Sequence, residues 1–234
     1  MHCDTEFWWN WWVALGAAVA TFFAVVAALF NPWFQARFFP PVLKLNLLSQ
    51  KGEGCPARFT KEWQNGPVLE VAEWTESGRF YHLRLVNMRR RSTANEALIY
   101  LSKFEEIGAD GVHSTVWTGD LPLRWRHSEL FSKARTVGPH ADCDLCSVVS
   151  GSISAGRTPL HDPAPKPRFS VYPQTQVNNL IDYYERSAPV NAVLTLQARS
   201  NEVDSEFIRV HITWDGAWVD GEGMKEHLHI KVLP

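Results

Sequence analysis

The sequence predicts a mainly β protein, a β-sandwich of about ten strands, preceded by one N-terminal transmembrane α-helix. Two observations carry this. Residues 7–30 contain no charge, between Glu6 and Arg37, and most of the remaining chain alternates apolar and polar residues with period two.

The uncharged run comes first. At ~1.5 Å per residue a helix over 7–30 measures ~36 Å, enough to cross a ~30 Å hydrocarbon core with some tilt. Trp8, Trp9, Trp11 and Trp12 crowd one end, where amphipathic indole rings prefer the headgroup level, and Trp33 marks the other. The residues ahead of the run include Asp4 and Glu6 and no Lys or Arg, which opposes a secretory signal peptide with its basic start. Arg37, Lys44 and Lys51 follow the run. Because basic flanks stay on the cytoplasmic side, the reading is a single-pass anchor in the inner membrane, N-terminus out, with a cytoplasmic domain. Small residues four apart (Gly16, Ala20, Ala24, Ala28) allow homo-oligomers through the helix. The four cysteines are too few for the dense disulfide framework of a small secreted domain.

The expected organisation is a tail over 1–6, the helix over 7–30, a short stiff linker over 31–41 bearing Pro32, Pro40 and Pro41, and one domain over 42–234. All 23 Lys and Arg lie beyond the helix with 23 of the 25 acidic residues, Asp4 and Glu6 being the other two, so the domain is formally neutral. A nucleic-acid partner is not expected without a basic face.

Strands are expected at 42–48, 68–74, 80–86, 97–101, 114–118, 121–126, 143–149, 169–172, 192–199, 207–214 and 227–232. In 80–86, Tyr81, Leu83 and Leu85 share a face against His82 and Arg84; in 207–214, Ile208, Val210, Ile212 and Trp214 oppose Arg209, His211 and Thr213. Val177, Leu180, Ile181 and Tyr184 stand at i, i+3, i+4 and i+7, which predicts a short helix over 174–186. The Gly, Ser and Pro content of 151–168 predicts a loop excursion.

The stretch 80–101, strand, polar turn at Asn87 to Ser92, and returning strand with Ala97 and Ile99, resembles a hairpin of bacterial immunoglobulin-like domains. The plan of the whole chain is similar to uncharacterised bacterial proteins that set one N-terminal span before such a domain. The resemblance implies an immunoglobulin-like sandwich and transfers no catalytic residues.

Several clusters are candidates for chemistry. His140, Cys143 and Cys146 contain a C-x-x-C pair, half of a tetrahedral zinc site, although an extended strand would point the two cysteines to opposite faces. Outward His211, His227 and His229 lie on two strands that antiparallel pairing would bring together, and 215–223 loosely resembles a calcium loop. The run 151–158 nearly spells a phosphate-binding loop, with Arg157 in place of Lys, but Pro159, Pro163, Pro165 and Pro167 forbid the helix that must follow. Trp63, Trp117 and Trp125 with Arg124 and Arg126 are candidates for a stacking surface, with core packing the commoner fate of such aromatics. Arg89, Arg90 and Arg91 are candidates for lipid or partner contact. No G-x-S-x-G, H-E-x-x-H or kinase-like set is present. The expectation is a membrane-anchored, non-enzymatic binding, sensing or scaffolding protein whose partner is another protein or a small ligand. The alternatives are a zinc-dependent enzyme or zinc-stabilised domain, and a ligand-triggered oligomerising effector.

Overall fold

In the computed structural model the chain is described at residues 4–65, 68–89, 92–126, 134–156, 166–175, 177–183 and 186–234; at 4–7, 29, 31–37, 61–65, 68–70, 72, 152–156 and 179 the description covers backbone only. Helix α1, Asp4–Phe38, is followed by eleven strands among the described residues. The 21 residues Trp8–Ala28 are apolar enough to span a membrane, and none of that face is covered by the rest of the chain. The hydroxyl of Thr21, the one polar side chain deep in this stretch, donates to the Ala17 carbonyl at 2.8 Å and is satisfied within the helix.

α1 corrects the expected linker. The helix continues through Pro32 to Phe38. A proline inside a helix removes one main-chain hydrogen bond, at a cost of about 3 kcal/mol, but here helix-forming residues surround it on both sides. The break comes at Pro40 and Pro41, because a residue before proline avoids the helical region. The connection therefore shrinks to residues 39–42.

β1 (Leu43–Leu47), β2 (Glu53–Asn65), β3 (Val68–Asn87), β7 (His140–Gly156) and β8 (Arg168–Val171) form one antiparallel sheet, ordered β1-β3-β7-β8 with β2 on β3. β4 (Ala94–Ile107), β5 (His113–Pro122), β6 (Arg135–Val137), β9 (Val190–Arg199), β10 (Ile208–Trp214) and β11 (Leu228–Leu233) form the other, ordered β11-β10-β9-β4-β5 with β6 on β4. The alternation in the sequence is the reason for one shared core. Leu45, Leu83 and Leu145 from the first sheet meet Ile99, Phe104, Leu194 and Ile212 from the second in a single buried cluster.

Four expected elements change. The stretch 80–101 is not a hairpin, because β3 and β4 belong to different sheets. The buried Asn87 side chain organises the arch: its Oδ1 accepts from the Val42 and Arg89 amides (3.3 and 3.1 Å) while Nδ2 donates to the Ser92 carbonyl (2.7 Å). Residues 121–126 turn a corner between the sheets. The Leu123 amide bonds the Ile99 carbonyl of β4, and two residues on, Trp125 bridges Cys143 of β7. The expected excursion begins late, since β7 runs through Gly156. The short helix is a 3₁₀ turn over Asn178–Tyr183, so the inward period is three: Leu180 and Tyr183 are buried and Ile181 is exposed.

Chain direction distinguishes the two ends of the domain. β1 starts beside α1, and Leu43 pairs with Asn87 at the end of β3. β4 starts from the same end, and its 14 residues span ~45 Å of strand. Pairings Leu98 with Arg199, Leu196 with Ile208, and Arg209 with Leu233 put the end of β9, the start of β10 and the end of β11 there too. Ile107, Val190, Trp214 and Leu228 lie at the far end.

Candidate ligand cleft at the far end

β4 and β10 end, and β9 and β11 begin, around an open cleft of about 470 Å³. Its polar walls are Glu106, Asn191, Thr213, Asp215, Glu226, His227 and His229, with Pro189, Val190 and Trp214 supplying the apolar surface. Local chemistry builds the centre. The Asp215 carboxylate accepts the Ala217 amide at 2.9 Å, an Asx-type turn that starts the return loop. A 3₁₀ turn, Gly221–Glu226, buries Met224 and brings the chain back, with the His227 amide on the Met224 carbonyl at 3.1 Å. His227 Nδ1 then meets Asp215 Oδ2 at 2.7 Å.

Burial alone would raise the Asp215 carboxyl, but hydrogen bonds from His227 and the Ala217 amide, with the His227 charge, outweigh it and hold the group below its ordinary value. An ionised carboxylate only accepts, so Nδ1 of His227 donates in this bond. Glu106 is tied to Arg186 at 2.8 Å. The cleft thus presents hydrogen-bonding groups of fixed orientation. Among the described residues Thr213 is its one lining hydroxyl, and no cysteine or serine lines it.

The three outward histidines do not cluster. His211 stands opposite Lys231 and bonds Asn191 at 2.8 Å, whereas His229 stands opposite Thr213. Burial, then the Lys231 and His113 charges, lower the His211 pKa. The calcium-like reading of 215–223 fails locally because its acids are engaged: Asp220 accepts the Trp218 indole N–H at 3.2 Å and Glu222 pairs with Lys51 at 3.0 Å.

The zinc reading is also corrected. A bulge in β7 between the Tyr81 and His82 positions inserts Leu145, so Cys143 opposite Leu83 and Cys146 opposite Tyr81 share one face, contrary to the alternation. That face is the core. Both thiols are fully buried and burial raises both, while His140 is exposed at the strand start. Among the described residues no three His, Cys, Asp or Glu side chains are grouped to hold a metal ion.

A second polar constellation, unforeseen in the sequence, covers the outer face of the five-stranded sheet. His82 and Asp144, both buried, meet at 3.0 Å, and Arg124 from the corner segment reaches the other Asp144 oxygen at 3.3 Å while lying 4.7 Å over the Tyr172 ring. Next to it, Arg84 grips Asp142 with two bonds (2.7 and 2.9 Å) and Arg126 bonds Glu53. Each acid faces a base, so the set fastens the corner to the sheet. It also disposes of the stacking surface: Trp125 is fully buried, Trp117 packs against the core, and the two arginines are engaged with acids.

Of the anchor residues, Trp8, Trp9, Trp11 and Trp12 are exposed on α1, with Trp8 and Trp11 ring centres 6.2 Å apart; Trp33 and Arg37 lie on its last turns. Arg89 sits in the arch beside α1 and donates to the Pro40 carbonyl at 3.2 Å. Arg90, Arg91, Arg157, the Trp63 side chain, and His127 and His161, two further histidines that the sequence offers to complete the zinc site, fall outside the described residues. Comparison with protein-family models, with curated proteins and with solved structures finds no match for this chain.

Proposed function

We propose that this is a single-pass membrane protein whose two-sheet domain binds a small ligand or a protein loop in the far-end cleft, as a non-enzymatic binding or sensing module. The observation that supports it is the polarity of the domain: an apolar helix enters at one end, and the cleft with its Asp215–His227 pair opens at the other. Two antiparallel sheets over one core are also the plan of an immunoglobulin-like sandwich, which is the finer fold reading we adopt. The basic residues after α1 support N-out insertion into an inner membrane with the domain in the cytoplasm.

Topology is testable at Cys55, which is exposed, in a Cys3→Ser background. A membrane-impermeant maleimide should label it only after cells are permeabilised; labelling in intact cells overturns the orientation. Ligand binding is testable by thermal shift of the full chain in nanodiscs against panels of amines, carboxylates and sugars. One class should raise Tm in the wild type and not in His227→Ala. A null result across all three panels counts against the cleft.

A further inference from the structure

Six of the ten exposed large apolar side chains described beyond Phe30 gather at one end of the domain, while Val71, Val112, Ile181 and Val219 lie elsewhere. Phe38, Phe39, Val42, Met88, Phe207 and Val232 all lie at the near end, where α1 meets the domain. They come from four separate parts of the chain. Val42 and Met88 are neighbours through the Met88 amide on the Val42 carbonyl at 2.9 Å, and Arg89 is fastened beside them on Pro40. The far end carries Asp110, Asp215, Asp220, Glu222 and Glu226 with Val112 and Val219 exposed among them, and the near end holds acids of its own in Glu96, Glu202, Asp204 and Glu206. An apolar rim with a fixed cation is unusual on a surface facing open water.

The length of α1 indicates what covers the rim. With the indoles of Trp8 to Trp12 at one headgroup layer, Phe38 lies ~39–45 Å further along the helix axis, which reaches the opposite headgroup layer in a bilayer ~40–45 Å thick overall. An ordinary tilt lowers the junction into that layer. We propose that the near end is a bilayer-docking face, in which Phe38, Phe39, Val42, Met88, Phe207 and Val232 enter the headgroup boundary and Arg89 pairs with anionic lipid. This rests on the membrane reading above and adds that the domain is seated on the lipid. Apolar contact and attraction to anionic headgroups act together in such docking.

The test uses the full chain with Cys3→Ser and Cys55→Ser, reconstituted in phosphatidylcholine vesicles with or without phosphatidylserine and containing a headgroup-level quencher lipid. A fluorophore is placed at Met88→Cys or, as a second position should that variant misfold, at Phe207→Cys; Val219→Cys at the far end is the control. Near-end labels should be quenched, more strongly with phosphatidylserine, and the Val219 label should not. Arg89→Glu should remove the phosphatidylserine dependence. Equal quenching at both ends overturns the proposal. Flotation separates the two levels: a chain that does not float with vesicles removes the membrane reading and the docking with it, whereas a chain that floats with an unquenched near end removes docking alone.

Discussion

Arg168 donates to the Glu76 carboxylate at 2.8 Å, and the carboxylate is wholly buried. The Trp74 indole N–H (2.6 Å) and the Gly151 amide (3.0 Å) complete its shell, and Arg168 lies 5.1 Å over Phe59 of β2. The group ties the long β2–β3 arm to β7 and β8. Removing one partner leaves a buried charge without its counter-charge, so Arg168→Ala should destabilise the domain by about 3 kcal/mol. Arg168→Ala with Glu76→Gln should recover part of that. Denaturant unfolding of the four proteins checks both; a loss under about 0.5 kcal/mol for the single variant contradicts the assignment.

Gly151 has φ +71°, and a Cβ there would lie 2.3 Å from the Lys166 backbone. The left-handed conformation alone costs a side chain roughly 1–2 kcal/mol, and the clash with main chain adds to it. Gly151→Ala should lose at least about 2 kcal/mol, whereas Gly111→Ala, also left-handed but in open space, should lose only the first part. The difference in Tm between the two variants is the measurement.

Hydrogen bonds from Arg84 hold Asp142 below its ordinary value; burial pushes the other way, and the Arg84, His140 and Arg126 charges add to the lowering. A folded-state pKa below the unfolded one stabilises the native state at pH above the ordinary value of 3.8, and that contribution fades as the pH falls through the lower folded value. Asp142→Asn should therefore cost about 1 kcal/mol at neutral pH and progressively less below pH ~4. Stability curves of the two proteins that stay parallel down to low pH would refute the linkage.

Thiol reactivity should divide sharply. With Cys3→Ser, native protein should react with a thiol reagent at Cys55, while Cys143 and Cys146 react only on unfolding, since both are buried in the core and held protonated. Mass spectrometry after a timed maleimide pulse reads this directly. Modification of Cys146 at the rate of Cys55 would contradict the core placement.

The strands with one wet and one dry face were legible because their alternation is the physical cause of the fold: β1, β9, β10 and β11 fall close to where Val42 to Leu48, Ala192 to Arg199, Phe207 to Trp214 and His227 to Val232 predict them. β2 was not legible. It carries Pro56 and Lys61 and pairs only with β3, so burial imposes little pattern on it. A bulge shifts parity by one, which is why Cys143 and Cys146 share a face that counting by twos assigns otherwise. The Asp215–His227 pair joins the end of one strand to the residue before the next, through a turn with no periodic signal.

α1 runs unbroken to within a few residues of β1, and Asn87 clasps Val42 from inside the domain. Helix and domain therefore behave as a crank rather than a weight on a string. Deleting one residue from the last turns of α1 shortens the shaft by only ~1.5 Å but turns the domain by ~100° about the helix axis. In the single-pass reading proposed above, which flank faces the lipid, and the compass direction in which the cleft opens, are thus set by the residue count of the helix as much as by any contact within the sheets.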